Sequence, residues 1–220
     1  MAPKFVKLLL EVLHYDPARP SLESLTLLTS TDWNQFITES IEYRVAFQVH
    51  EYLNSDLLRL ELVPQGCLDR LTESINMTIV SNLRQQANLN KLLSACQAIN
   101  LPVMLLKGLW LVETVYRDIR ARSSSDIDLL FRPEDMPQFT QLAKELGFDL
   151  PASVTDIRDL MPAKNEFSLI HSFNDPQSPI HWDLHWSLTH PLKDRPIDEE
   201  KLWDRSEIVT MQVLTAEVYV

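Results

Sequence analysis

Apolar residues recur at three- and four-residue intervals through roughly positions 4–100, and after that the pattern shortens to alternation or to brief unbroken runs. The first texture predicts helices and the second predicts strands. Phe36, Ile37, Tyr43, Phe47 and Leu53 fall near one stripe, which predicts a helix from Trp33 to Leu53 with Asp32 as its N-cap. Leu71, Ile75, Ile79, Leu83, Leu89, Leu92 and Leu93 mark a second stripe running from about Leu68 to Ile99. Pro17, Pro20 and Pro64 punctuate these helices.

At Asn100-Leu101-Pro102 the texture changes. Val103 to Leu106 reads as a strand, Lys107-Gly108 as a tight turn, and Leu109 to Tyr116 as a helix. An arginine- and serine-rich loop, Arg117 to Ser125, leads into a strand over Ser125–Phe131. Pro133 suits the first turn of the next helix, Glu134 and Asp135 favour its dipole, and Gly147 ends it. Leu150 to Lys164 has two prolines and no clean period, which predicts a loop or an irregular helix. Phe167–Phe173 and Ile180–Trp186 read as a strand pair joined through residues 174–179, a hairpin that would bring the second strand near the centre of the sheet. Ile208–Leu214 predicts a last strand, and Thr215-Ala216-Glu217 the start of a helix.

These elements predict an α+β fold. A helical N-terminal region occupies residues 1–100, and a small mixed β-sheet flanked by helices occupies residues 101–220. The 220 residues, 45% of them hydrophobic, suffice for one sizeable core or two small ones. No apolar run is long enough to cross a membrane, Leu8-Leu9-Leu10 fits an amphipathic helix, and no signal-peptide cleavage site follows it. Cys67 and Cys96 lack any metal-ligand spacing, which predicts buried thiols and a cytoplasmic protein. A formal net charge of −11 argues against nucleic acid as the main partner, while leaving room for a local basic cluster that binds one triphosphate.

The chemistry concentrates in Ser125-Asp126-Ile127-Asp128-Leu129-Leu130-Phe131. On a strand, residues two apart share a face, so Asp126 and Asp128 stand on one side about 7 Å apart at Cα while Ile127 and Leu129 face the core. In Ile180-His181-Trp182-Asp183-Leu184-His185-Trp186 the same alternation sets Asp183 with His181 and His185, and Trp182, Leu184 and Trp186 opposite. Like charges crowded on one wall repel, and a divalent cation resolves the conflict. Three acids on neighbouring strands can hold two Mg2+ ions roughly 3.5–4 Å apart, the arrangement of phosphoryl and nucleotidyl transfer.

Around them lie candidate phosphate ligands. Arg122 offers a guanidinium fork, Ser123, Ser124 and Ser125 offer hydroxyls and amides, and Lys107-Gly108 offers a turn opening a helix. The plainer alternative is a solvated loop in which Arg117, Arg120 and Arg122 only neutralise Asp118, Asp126 and Asp128. His181, Asp183 and His185 also admit a transition-metal reading such as zinc, with His171 and His190 as further candidates, against a reading of His185 as a packing or supporting residue beside Asp183.

Leu105-Leu106-Lys107-Gly108, Arg122 through Leu130 with its Asp-x-Asp, Pro133-Glu134-Asp135, Gly147-Phe148 and Asp183-Leu184-His185-Trp186, taken in order, resemble a bacterial nucleotidyltransferase family of the DNA polymerase beta-like superfamily over roughly residues 70–217. The resemblance implies Mg2+- or Mn2+-dependent transfer of a nucleoside monophosphate from an NTP, with release of pyrophosphate. It also implies that Asp126 and Asp128 are the paired metal-binding carboxylates, that Asp183 is the third, and that Gly108 belongs to a phosphate-binding turn. Leu109 departs from the Ser or Gly usual at its position, and the resemblance implies further helices beyond the point where this chain stops.

The expected acceptor is a hydroxyl on a small molecule, a peptide or a protein. The alternatives are a nucleotide- or partner-binding protein of the same fold with little catalysis, and a metal-dependent hydrolase.

Overall fold

A computed structural model describes residues 5–13, 25–148, 166–173, 179–189, 197–211 and 217–220. The chain folds as two compact units, Met1–Ser81 with Tyr116–Ser123, and Asn82–Val115 with Ser124–Val220.

The first unit is helical. It contains α1 (Val6–Leu13), α2 (Ser30–Glu42), α3 (Ala46–Asn54), α4 (Leu57–Leu62) and the first half of α5 (Gln65–Ala98). Its core gathers Phe5, Leu25, Trp33, Phe36, Ile37, Val49, Leu53, Cys67 and Leu71, all nearly inaccessible. The helix expected from Trp33 to Leu53 is two helices. Arg44 takes φ +59°, and the Arg44 and Val45 amides donate to the Ile41 and Ser40 carbonyls, closing α2 with a left-handed turn of the kind glycine usually supplies. Asp32 is not the N-cap either. Thr29 caps α2, accepting from the Asp32 amide, while the Asp32 carboxylate accepts from the Thr29 amide and hydroxyl, a reciprocal capping box.

The second unit is built on a six-stranded mixed sheet in the order β3-β4-β2-β1-β6-β5. The strands are β1 (Met104–Leu106), β2 (Asp126–Leu130), β3 (Glu166–His171), β4 (Ile180–His185), β5 (Ile208–Thr210) and β6 (Glu217–Tyr219), and the short helix α6 (Gly108–Leu111) follows β1. Strand β2 runs antiparallel to β1 and parallel to β4, and β3 and β4 form the expected antiparallel pair. The helix expected to begin at Thr215-Ala216-Glu217 is replaced, among its described residues, by β6. Pairing parallel to β1 and antiparallel to β5 satisfies that backbone better than an isolated helical turn would. The segment 150–164 lies outside the described residues.

Ile127, Leu129, Trp182, Leu184 and Trp186 point to one side, into a core with Leu89, Leu92, Leu93 and Cys96 of α5 and Phe139, Leu142 and Ala143 of α7 (Met136–Glu145). This confirms the alternation read along both strands. Helix α5 ends at Asn100, φ +54°, and α7 at Gly147, φ +81°, each with the same pair of backward amide bonds that ends α2. Cys67 and Cys96 are free and buried, and burial pushes the Cys96 thiol up to about 12. A short helix not anticipated from the sequence, α8 (Glu199–Arg205), is capped by Asp198 and places Trp203 with Met104 and Leu130 in a small cluster of its own. No helix among the described residues is long and apolar enough to cross a membrane.

Candidate functional site

The opposite side of the sheet from the large core carries the acids. In register, Asp128 of β2 pairs with Asp183 of β4, and Asp126 with His181. One carboxylate oxygen from each of Asp126, Asp128 and Asp183 lies within 4.8 Å of the other two. Asp128 is the deepest, 2% exposed, while Asp126 and Asp183 are half-buried. Carboxylates this close fit a divalent cation, whose charge would offset their mutual repulsion.

Among the described residues, the hydrogen bonds to these three side chains fall on Oδ1. Asp128 Oδ1 takes the Lys107 ammonium at 2.8 Å and faces His185 Nε2 at 3.1 Å. Asp183 Oδ1 accepts from the Ser168 hydroxyl at 2.7 Å, and Asp126 Oδ1 from the Ser125 hydroxyl at 3.1 Å. Burial alone would raise the Asp128 carboxyl, but the His185 and Lys107 hydrogen bonds outweigh it and hold the group below its ordinary range. The bond to Asp128 likewise raises Lys107, against a smaller opposing effect of burial.

Lys107 reaches Asp128 because Leu106, just before it, is the register partner of Asp128 across β1 and β2. Its backbone is strained, with φ +41° and ψ −138°. Gly108 follows at φ +38°, and a Cβ there would stand 2.9 Å from Ser124 Oγ, closer than real contacts allow. Ser124 is fixed from below. The buried α5 side chains Asn82 and Gln85 bracket it, with the Ser124 amide donating to Asn82 Oδ1 at 3.3 Å and Gln85 Nε2 donating to the Ser124 carbonyl at 2.9 Å. The Ser124 hydroxyl donates in turn to the Asp126 carbonyl. Leu109, which offers no hydroxyl to a phosphate, is buried in the sheet core and contributes packing.

The structure thus gathers Asp126, Asp128, Asp183, Lys107, Gly108, Ser124 and Ser125 in the sheet unit, whereas Arg122 and Ser123 belong to the helical unit. There Arg120 is engaged by Asp118, 2.7 Å at its shortest, and lies over the Phe47 ring, as the plainer reading of the loop predicts for that arginine. Arg122 lies over Tyr116 at 5.9 Å. The transition-metal reading loses its ligand set. His181 is exposed and outside the acidic group, and the His185 ring stands between Asp128 and Glu166 Oε2, the latter 3.2 Å from Nδ1. His190 lies outside the described residues. His185 therefore supports Asp128 and not, as its place in the chain suggests, Asp183.

Sequence reasoning did not single out Asn82, Gln85, Glu166 or Ser168. Alternation along β3 sets Glu166 and Ser168 on one face, but only the register, Glu166 with His185 and Ser168 with Asp183, shows which face and beside what.

A family model described as an uncharacterised nucleotidyltransferase matches residues 29–220. No curated protein and no solved structure matches the chain.

Proposed function

The chain belongs to this family of uncharacterised nucleotidyltransferases, and on that premise we propose that it moves a nucleoside monophosphate from an NTP to a hydroxyl on a small molecule, peptide or protein, with pyrophosphate leaving. The observation that carries this reading is the convergence of one carboxylate oxygen from each of Asp126, Asp128 and Asp183 to within 4.8 Å of one another on one sheet face. These three side chains would hold the metal, Mg2+ or Mn2+. Bound divalent ions supply neutralisation of phosphate charge and a lowered pKa for the attacking hydroxyl.

The chain's own residues would do the rest. Asp126 and Asp128 sit two apart on a strand whose opposite face is locked in the core, which fixes their separation. Asp183, half-buried and hydrogen-bonded to Ser168, would hold the ion that lowers the pKa of the acceptor hydroxyl. The Lys107 side chain is 60% exposed and flexible, so its ammonium can leave Asp128 for an arriving phosphate. Gly108, with no Cβ at the turn beside Ser124, lets backbone approach a phosphate closely. Arg122, Ser123, Ser124 and Ser125 are assigned to the triphosphate from their place just ahead of Asp126 in the chain.

Incubation of the protein with Mg2+ and an NTP labelled at the α-phosphate, followed by product analysis, tests the reading. Label joined to an acceptor together with free pyrophosphate supports transfer. Nucleoside monophosphate alone would identify a hydrolase, and binding without turnover would identify a nucleotide-binding protein.

A further inference from the structure

We propose that Glu166 and His185 form a positioning pair that fixes the Asp128 carboxylate for metal binding, which makes β3 part of the site and not merely its edge. The proposal rests on the reading that Asp126, Asp128 and Asp183 hold a divalent cation.

A carboxylate side chain has a soft, two-fold terminal torsion, so a buried ligand needs a donor to choose its orientation. Two donors meet on Asp128 Oδ1, and they differ in kind. Lys107 is exposed and ends a long flexible stem, so it can depart when an anionic ligand competes for it. The His185 side chain is 9% exposed, has few rotamers, and is held at both ends, Nε2 on Asp128 at 3.1 Å and Nδ1 against Glu166 at 3.2 Å. Glu166 reaches it because the two are register partners on β3 and β4. The ring is itself buried, so little space surrounds it for another rotamer. His185 is thus the stationary donor, and Glu166 is the anchor that aims it. Among the described residues both hydrogen bonds to Asp128 fall on Oδ1, so Oδ2 would be the oxygen offered to a cation.

Substitutions matched in charge separate this role from a merely structural one. In the full chain, His185→Gln sets an amide nitrogen near the place of Nε2, and His185→Asn sets it near the place of Nδ1. Both are neutral, so any effect of the ring's charge on metal binding cancels between them. Mn2+ titration by calorimetry should give at least about ten-fold tighter binding for His185→Gln than for His185→Asn at matched melting temperatures, in line with the effect of partners that orient metal ligands. At the exposed Glu166, Gln keeps an acceptor for the ring and Ala does not. Glu166→Gln should therefore bind Mn2+ several-fold more tightly than Glu166→Ala, again without a change in melting temperature.

Equal Mn2+ affinity within either pair overturns the proposal. If the His185 variants fail to fold, the Glu166 pair decides alone. A wild-type protein that binds no Mn2+ overturns the metal reading and this inference with it. A wild type that binds Mn2+ beside variants that show no difference overturns this inference only.

Discussion

Asp128 and Asp183 are direct register partners on the parallel strands β2 and β4, so two carboxylates far apart in the chain stand side by side on one sheet face. Adjacent strands lie about 4.8 Å apart. Each acid of the pair has its own donors, Lys107 and His185 on Asp128 and Ser168 on Asp183.

Asp183→Asn removes one of the repelling charges but leaves the shape. The metal-free melting temperature is expected to stay or to rise, and NTP affinity to persist on the Asp126/Asp128 pair, while transfer falls by orders of magnitude. Turnover, NTP affinity and melting temperature measured on this one variant check the assignment. Wild-type transfer activity in a stable variant would remove Asp183 from the reaction.

Lys107→Met takes away a cation that competes for Asp128 and a candidate phosphate ligand at once, so its two effects should have opposite signs. Mg2+ alone should bind more tightly, and NTP more weakly by roughly 1.5–3 kcal/mol, the value of a hydrogen bond to a charged group. Calorimetry with each ligand separately checks this, and an unchanged NTP affinity would confine Lys107 to the role of counter-ion.

Gly108→Ala should destabilise the protein by at least ~1–2 kcal/mol for the left-handed backbone alone, with a further cost from the 2.9 Å approach of the new Cβ to Ser124 Oγ. Urea denaturation reads the loss. Ser124→Ala in the same background removes the clash but not the strained φ, so the double variant should lose less than the sum of the two single losses.

His171 stacks on Phe148 with ring centroids 4.3 Å apart, and burial lowers its pKa. The unfolded chain then binds the proton more readily than the folded one. Stability should therefore fall as pH drops through the ordinary histidine range near 6.5 and level off below the folded value. His171→Phe keeps the stacking and should flatten this part of the acid limb. Melting curves between pH 7.5 and pH 5, on the order of the ordinary histidine range, check it, and parallel slopes for the two proteins would assign the titration elsewhere.

Which side chains of β2 and β4 face the core is legible in the chain alone. Alternation in Asp126-Ile127-Asp128-Leu129 and in Trp182-Asp183-Leu184 separated acid from core correctly, because side chains on a strand alternate whatever the strand pairs with. The stop at Gly147 and the two ends of the α5 stripe, Leu71 with Ile75 and Leu89 with Leu92 and Leu93, were legible for the same reason, since helical periodicity and a left-handed glycine are local, whereas mid-helix Leu83 is 52% exposed and the polar Asn82, Gln85 and Asn88 are buried there. Where a local signal had a rival, reading the chain alone failed. Arg44 closes α2 in a conformation that composition assigns to glycine, and Glu217 joins β6 because β1 and β5 offer its segment hydrogen bonds from distant parts of the chain. Strand pairing, which no local pattern encodes, puts Asp183 beside Asp128, His185 against Asp128, and Glu166 and Ser168 next to them on β3. Strand order and register are set by pairing between segments remote in sequence, and a shift of one residue would turn each of these side chains to the other face.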